Sequence, residues 1–304
     1  MSLKIWIDGN LVDKENAKIS VYDHGLLYGD GVFEGIRAYN GKIFEEEAHL
    51  QRLWDSARSI RLEIPYSRQQ LSEAMYGAME ANSLTDAYIR LIVTRGYGDL
   101  GLDPRKCKKA GVICIADKIA LYPEELYETG LPIITASVIK NHPNATPPRI
   151  KSLNYLNSIL AKIEATDAGC MEAVLLNHLG FIAECTADNI FIVKNGVVMT
   201  PPTEAGILEG ITRDVVMRLC KREGIPCVEK NLVRFDLYSA DECFMTGTAA
   251  EVIGVTSVDK RQIGSGTPGP ITRRLKKIFH AYVRGQEHED PVPFGTGAGA
   301  LAER

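Results

Sequence analysis

The feature that most constrains this chain is the stretch 144–164, in which a proline-containing segment leads into a helical pattern. Pro147 and Pro148 favour extended backbone and disfavour helix before them. Lys151 follows at the junction, so we expect it at the start of a helix, where unpaired N–H groups already present positive charge. The helix itself is predicted from apolar residues at three- and four-residue steps: Leu153, Leu156, Leu160 and Ile163.

Lys151 is therefore a candidate nucleophile. A helix start favours the neutral amine, which is the form that Schiff-base chemistry with an aldehyde cofactor needs. Tyr155 lies four residues further on and would share the same face of the helix. The alternative is a solvated lysine beside a loop, which is the commoner situation for a lysine considered alone.

The first 120 residues predict an α+β arrangement. Asp8-Gly9 and Asn40-Gly41 each separate two strand-like runs, which indicates β-hairpins. The later segments of this part are helices over roughly 46–60 and 68–81 and strands over 88–94 and 111–116. Residues 121–130, of mixed polarity and with Pro and Gly, are interpreted as the connection between a small domain, 1–120, and a large domain, 131–304.

The large domain is predicted to mix strands and helices. The Gly-, Pro- and Ala-rich tail, 285–304, is expected to be loosely ordered. The predicted strands are 132–139, 172–177, 181–184, 190–193, 197–199, 227–234, 242–245 and 252–259, and the helices are one after Lys151, one over 211–224 and a basic one over 270–284.

Composition limits the possible partners. A net charge of −4 gives no electrostatic reason to expect nucleic acid or an anionic membrane, and no apolar run is long enough to span a bilayer. The N-terminus is typical of a strand and turn and not of a signal peptide. Seven scattered cysteines without a C-x-x-C pair favour reduced thiols in a cytoplasmic protein, and no metal site is expected.

Two glycine-containing segments are candidate anion sites. In Gly206–Arg213, glycines lead into an amphipathic helix beside a threonine hydroxyl, which suits phosphate. Met245–Glu251 is a turn of small residues whose closely spaced N–H groups suit phosphate or carboxylate. The alternatives are an ordinary helix start and a tight turn between strands.

Two sets of charged residues are candidate ligand contacts. Glu184, at the end of a strand, could pair with the ring nitrogen of a pyridine cofactor and keep it protonated. Tyr88 and Arg90 share one face of a strand, and arginine can bind a carboxylate with two hydrogen bonds. A surface glutamate and a paired arginine on a half-exposed sheet are the alternatives.

These segments, taken together and in order, resemble the class IV aminotransferases that use pyridoxal 5′-phosphate, and within them the branched-chain amino acid aminotransferases. The resemblance covers roughly residues 3–285. It implies the two-domain fold type IV architecture, with a small α+β domain, a larger α/β domain with a barrel-like sheet, and the site between them. The motifs that carry it are Tyr28–Tyr39, Glu47–Leu53, Tyr88–Arg90, Lys151–Tyr155, Glu184–Asn189, Pro202–Arg213 and Met245–Glu251.

The resemblance also implies roles for individual residues. Lys151 would bind the cofactor covalently and later move a proton at the substrate Cα, while amino groups pass from L-leucine, L-isoleucine or L-valine to 2-oxoglutarate. The implied cofactor contacts are Arg52, Lys151, Tyr155, Glu184, Leu208, Ile211, Thr212 and Thr248. The implied substrate contacts are Tyr28, Phe33, Gly35, Tyr88, Arg90, Leu100, Leu102, Tyr122, Thr248 and Ala249.

In the family, a loop of the partner subunit covers the pocket, and residues 95–102 resemble that loop, so the resemblance implies a dimer at least. A D-amino acid aminotransferase or an aminodeoxychorismate lyase on the same fold is the alternative within the family. The 95–102 loop carries no histidine, which counts against the D-specific reading. A non-catalytic phosphate- or nucleotide-binding protein is the alternative outside it, but it leaves Lys151, Tyr155 and Glu184 without a shared role.

Overall fold

Two β-sheets organise the chain in the computed structural model, which describes residues 2–286. The first sheet has six strands in the order β2-β1-β6-β5-β3-β4, and every neighbouring pair is antiparallel. Both predicted hairpins are confirmed, since they join β1 to β2 and β3 to β4. The elements of this part are β1 (Lys4–Ile7), β2 (Asn10–Asp13), α1 (His24–Tyr28), β3 (Gly31–Tyr39), β4 (Lys42–Ile43), α2 (Glu46–Ser59), α3 (Arg68–Ala81), β5 (Ala87–Thr94) and β6 (Gly111–Asp117), with short 3₁₀ turns at Lys14–Asn16 and Pro104–Lys106.

Alternation along β5 separates the two faces of the small sheet. Ile89, Leu91 and Val93 are fully buried in the core beneath α2 and α3. Tyr88 and Arg90 point to the opposite face, as the two-residue period of a strand requires. The helices cover one face of the sheet, and the other face is left for the functional site.

The second sheet has nine strands. Eight follow the order β12-β11-β10-β13-β14-β7-β8-β9, and β15 pairs with β14. The β11–β12, β14–β7 and β7–β8 pairs are parallel, and the others are antiparallel. The elements are α4 (Glu124–Thr129), β7 (Leu131–Thr135), α5 (Leu156–Asp167), β8 (Glu172–Leu176), β9 (Ile182–Cys185), β10 (Asn189–Lys194), β11 (Val197–Thr200), α6 (Ile211–Arg222), β12 (Cys227–Glu229), α7 (Arg234–Tyr238), β13 (Glu242–Gly247), β14 (Glu251–Val258), β15 (Arg261–Gln262) and α8 (Pro270–Val283), with a 3₁₀ turn at Thr203–Ala205.

The large sheet curls so that its end strand β9 lies against β10. Its concave side holds one apolar core, which includes Ile133, Ile190 and Met245. A second core lies between the sheet and the helices α6 and α8 and contains the stacked rings of Phe191 and Phe244, whose centroids are 4.8 Å apart. Helices thus cover the convex side of the sheet at these strands.

The prediction that Lys151 begins a helix is wrong, because α5 starts only at Leu156. The backbone of residues 151–153 instead pairs with the start of β3. The Phe33 N–H donates to the Lys151 carbonyl at 3.0 Å, and Ser152 forms a bridge with Val32. The apolar face predicted for this helix is also not in the core: α5 packs against β8 through small alanines, and the exposed members of that face are Leu156, Leu160 and Ile163.

Other differences are smaller. The strand predicted at 132–139 ends at Thr135, and the strand predicted at 227–234 ends at Glu229. The limits of the two domains remain a prediction, although the sheets divide at the predicted connection, where α4 lies. Most of the tail, 287–304, lies outside the described residues. Among the helices of residues 2–286, none is long and apolar enough to cross a membrane.

Candidate active site

A cavity of about 600 Å³ lies between the two sheets, and most of the predicted site residues line it. The bare face of the small sheet forms one wall, and loops at the ends of the large-sheet strands form the other. The predicted residues brought together here are Phe33, Gly35, Arg52, Tyr88, Arg90, Lys151, Tyr155, Glu184, Leu208, Ile211, Thr212, Thr248 and Ala249.

The Lys151 amine lies among aromatic groups. Its Nζ donates to the Tyr155 Oη at 3.0 Å and lies 4.4 Å from the centre of the Phe33 ring. The rings of Phe33 and Tyr155 meet edge to face at 5.1 Å. The Lys151 backbone N–H donates to the Ser56 Oγ at 3.1 Å, so both ends of the residue are held. A fixed amine beside a phenol is suited to nucleophilic attack and to proton transfer.

Glu184 also lines the cavity and is 6% exposed. Its Oε2 accepts hydrogen bonds from the Leu208 N–H at 2.9 Å and the Asn189 Nδ2 at 3.2 Å. Its Oε1 forms an ion pair of 2.6 Å with the Lys140 Nζ. The carboxylate is therefore fixed in the cavity wall, where it can bind a cationic or proton-donating ring atom.

The predicted anion site corresponds to the N-terminus of α6. Gly210 is the N-cap residue, and Ile211 and Thr212 are the first helical residues, whose N–H groups have no acceptor within the helix. A Cβ on Gly210 would lie 1.9 Å from the Asn189 Oδ1, so only glycine lets these two elements meet. The adjacent Arg52 adds positive charge to this end of the cavity.

Arg52 is held by a buried carboxylate on the helix-facing side of β3. Its Nε and Nη2 each donate to Glu34 at 2.8 Å, and its Nη1 donates to the Glu209 carbonyl at 2.7 Å. Burial would raise the pKa of Glu34, but the charge and hydrogen bonds of Arg52 and the hydrogen bond of His49 outweigh burial and lower that pKa to about 2. Burial lowers the pKa of His49, which favours its neutral form.

Thr248 and Ala249 form the turn between β13 and β14, and this turn is part of the cavity wall. Asp188 packs against it so tightly that a Cβ on Gly247 would lie 1.8 Å from the Asp188 Oδ1. Burial, followed by the nearby charge of Glu172, raises the pKa of Asp188 to about 7. Within the described residues the Asp188 Oδ2 and the Thr246 Oγ1 are buried without hydrogen-bond partners, although both residues line the cavity.

The small-sheet wall combines apolar surface with one cation. Gly35 pairs with Arg90 across β3 and β5, and a Cβ on Gly35 would lie 2.4 Å from the Tyr88 Oη. The Arg90 guanidinium lies 4.5 Å from the centre of the Phe33 ring. Burial raises the pKa of Tyr88, so its hydroxyl stays protonated and can donate a hydrogen bond.

Four predicted substrate residues lie outside this cavity. Tyr122 is in the core of the large sheet, 4% exposed, and its neighbour Leu121 lines the cavity instead. Tyr28 ends α1 and accepts a hydrogen bond from the Gly101 N–H at 2.9 Å, which ties it to the 95–102 loop. Leu100 and Leu102 on that loop are 60% and 81% exposed, and Leu102 shares a smaller second cavity with Tyr28.

Several lining residues were not identified from sequence. Ile92 follows Tyr88 and Arg90 at the same two-residue spacing, so strand alternation could have identified it. Leu121 and Lys140 lie in connecting segments without periodicity, so no signal pointed to them. Within residues 2–286, no group of three or more metal-ligating side chains could hold an ion.

The arrangement has the parts that a phosphorylated pyridine aldehyde requires. An amine lies at one position, a buried carboxylate at another, and a helix start with an arginine at a third. At Gly210 and Gly247 the backbone lies so close to Asn189 and Asp188 that no side chain would fit, which fixes the helix start and the β13–β14 turn in the cavity wall. The cavity residues therefore fit pyridoxal 5′-phosphate.

Comparison with known proteins places the chain in a family. The model of the amino-transferase class IV family matches residues 31–258, so the chain belongs to the class IV aminotransferases. Its relatives include a putative branched-chain-amino-acid aminotransferase of Methanocaldococcus jannaschii, 53% identical over 277 residues that span 91% of this chain and 95% of that protein.

Solved structures of related proteins support the same family assignment. The branched-chain amino acid aminotransferase of Escherichia coli has a TM-score of 0.91 and 38% identity, with 96% of this chain and 98% of that chain covered. That of Thermobaculum terrenum, solved in its PLP-containing holo form, has a TM-score of 0.85 and 31% identity, with 94% and 95% covered. The predicted family and fold type are confirmed, and the D-specific and lyase alternatives are not favoured by these relatives.

Proposed function

We propose that the protein is a pyridoxal 5′-phosphate-dependent aminotransferase that moves the amino group of L-leucine, L-isoleucine or L-valine to 2-oxoglutarate. The observation that carries the proposal is the Lys151 amine, 3.0 Å from the Tyr155 hydroxyl, in a cavity that also holds a fixed carboxylate and an anion site. Relatives named for the branched-chain reaction support the substrate class.

Different residues of the cavity wall would hold different parts of the cofactor, which supplies an electron sink when bound. Arg52 and the start of α6 would bind the phosphate, and Glu184 would bind the ring nitrogen. Tyr155 would donate to the phenolic oxygen, and Leu208 would pack on the ring. Lys151 would hold the aldehyde carbon and then, as a free amine, carry the proton that leaves the substrate Cα.

The substrate wall meets two different requirements. Phe33, Ile92 and Leu121 present apolar surface that suits a branched aliphatic side chain. Arg90 lies at the edge of that surface and can pair with the second carboxylate of glutamate or 2-oxoglutarate. Thr248 and Ala249 would bind the α-carboxylate through their N–H groups, assisted by the Tyr88 hydroxyl.

A second copy of the chain would complete the site. Tyr28, Leu100 and Leu102 do not line this chain's cavity but lie together on one surface, so we assign them to the cavity of the partner. Large apolar side chains around them are exposed, including Val21, Leu26 and Tyr97 at 71%, 61% and 70%. A monomer seldom exposes so much apolar surface in one region, which supports a dimer at least.

The absorption spectrum of the purified protein with pyridoxal 5′-phosphate, before and after L-isoleucine, tests the proposal. We expect a visible band that converts to a pyridoxamine-like band without any keto acid. Lys151→Ala should remove both the band and transamination, whereas Lys221→Ala, on the exposed side of α6, should leave both unchanged. A stable band that responds only to a D-amino acid would refute the substrate class, and no band at all would refute the chemistry.

The state of the thiols supports a proposal about the cellular location. Cys114, Cys185 and Cys243 are free and buried, and none of them forms a disulfide in the described residues. Burial raises the pKa of each of these thiols and keeps it protonated. Free buried thiols support our proposal that the protein acts in the cytoplasm, and localisation of a tagged chain would test it.

A further inference from the structure

Lys140 is a buried cation whose role the sequence did not reveal. It follows β7, and its backbone N–H donates to the Leu176 carbonyl at 2.8 Å, which anchors it beside the large sheet. It is 8% exposed, and its Nζ lies 2.6 Å from the Glu184 Oε1. A lysine is almost never buried to this extent unless it is paired, so the ion pair accounts for its position.

The other side of the Glu184 carboxylate is also occupied. Oε2 accepts from the Leu208 N–H and the Asn189 amide, and both donors are neutral. Lys140 is thus the cation that is hydrogen-bonded to Glu184. Arg52 lies within electrostatic range of Glu184, but its hydrogen bonds go to Glu34 and to a backbone carbonyl.

A buried carboxylate and a pyridine nitrogen that share one proton can divide it in two ways. The proton can lie on nitrogen, which gives a pair of opposite charges, or on the carboxyl, which gives a neutral pair. A low-dielectric site favours the neutral pair unless another charge intervenes. A cation bonded to the carboxylate stabilises its negative charge more than it destabilises a positive charge that lies further away, because the interaction falls with distance.

We propose that Lys140 is a positioning residue that keeps the Glu184 carboxylate anionic, so that the shared proton stays on the ring nitrogen of the cofactor. The inference rests on the proposed function, in which Glu184 binds that nitrogen. A protonated ring nitrogen is the better electron sink, so Lys140 acts on the reaction through Glu184 without touching the substrate.

Nitrogen-15 NMR of apoprotein loaded with ring-labelled pyridoxal 5′-phosphate tests this directly, because the shift of the ring nitrogen reports its protonation. We expect a protonated signal for the wild type and for Lys140→Arg, which keeps the charge. Lys140→Met should move the signal towards that of a neutral pyridine, as should Glu184→Gln. The matched control is Lys194→Met, which breaks a half-exposed ion pair with Asp241 and should leave the signal unchanged.

The outcomes separate the two proposals. A wild-type signal in Lys140→Met together with a neutral signal in Glu184→Gln would overturn the role of Lys140 and leave the proposed function intact. A protonated signal in Glu184→Gln would overturn the assignment of Glu184 itself, and the role of Lys140 with it. Absence of labelled cofactor from the wild-type protein would overturn the proposed function.

If Lys140→Met binds the cofactor poorly, the thermal stability of the apoproteins provides a second test of the pairing between Lys140 and Glu184. Melting temperatures of the apoproteins of Lys140→Met, Glu184→Gln and the double variant form a cycle. We expect Lys140→Met to melt lower than the wild type, because it leaves a buried charge unpaired, and Glu184→Gln to relieve part of that loss. Strictly additive shifts would mean that the two side chains are not coupled and would overturn the inference.

Discussion

Replacement of Gly210 by alanine tests how tightly the anion site and the ring-nitrogen site are joined. The φ of Gly210 is −69°, which alanine adopts readily, so the backbone itself is not strained. The added Cβ, however, would lie 1.9 Å from the Asn189 Oδ1. Asn189 is 5% exposed and cannot move into solvent without breaking its hydrogen bonds to Glu184 and to the Leu208 carbonyl.

These contacts give the expected loss in the free energy of unfolding of the Gly210→Ala protein. Overpacking of a buried site costs about 1–3 kcal/mol, and loss of two hydrogen bonds costs about 1 kcal/mol each. For a chain of 304 residues, a destabilisation of about 3 kcal/mol corresponds to a fall in melting temperature of roughly 5 °C. Loss of one donor to Glu184 should also weaken binding of pyridoxal 5′-phosphate about tenfold.

Gly77 provides a matched control. It lies inside α3, and a Cβ on it would meet nothing within 4 Å. Gly77→Ala should therefore stabilise the protein by about 0.5–1 kcal/mol, the opposite sign to Gly210→Ala. Thermal melting of both apoproteins and cofactor titration measure these effects. If Gly210→Ala melts with the wild type while Gly77→Ala shows its gain, Asn189 is not fixed as described and the reasoning fails.

Three further results are expected. Arg90→Ala should raise the KM for glutamate and 2-oxoglutarate at least tenfold more than that for leucine, since only the former carry a second carboxylate; equal losses in steady-state kinetics would contradict its role. The pKa of Glu34 is lowered from 4.5 to about 2, so its ionised carboxylate, bound by Arg52 and His49, stabilises the protein by about 3 kcal/mol above pH 4.5, and this contribution is lost as the pH falls towards 2. Relative to Glu34→Gln, the wild-type advantage in melting temperature should shrink over that interval, and parallel pH profiles would exclude the linkage. Leu102→Asp should weaken the proposed dimer in analytical ultracentrifugation and lower turnover, whereas Leu11→Asp, on the exposed edge strand β2, should do neither. If the Leu102→Asp protein is as dimeric and as active as the wild type, the 95–102 loop does not contribute to the partner's site.

Local patterns were enough to place most elements and most of the candidate site. Asn40-Gly41 requires positive φ at both positions, which the structure shows, so this hairpin could be read from two residues. Alternation along β5 put Tyr88 and Arg90 on one face before any contact was known. The resemblance supplied the roles of Lys151, Tyr155 and Glu184, and the structure brings these residues into one cavity.

Tertiary contacts decided what local patterns could not. The apolar spacing after Lys151 predicted a helix that began too early, because residues 151–153 pair with β3 and stay outside the helix. Leu121 lines the cavity, whereas the predicted residue Tyr122 is in the core. Which of the two neighbours lines the cavity depends on how the chain enters the curled sheet, and the local sequence pattern does not indicate this.

The pairing of Lys140 with Glu184 joins residues 44 positions apart, and only the folded sheet brings them within 2.6 Å. The sequence by itself thus determined the strands, the hairpins and the chemical groups of this protein. The tertiary structure determined which of those groups meet, because contacts between distant segments depend on how the two sheets pack and not on the residues that flank each group.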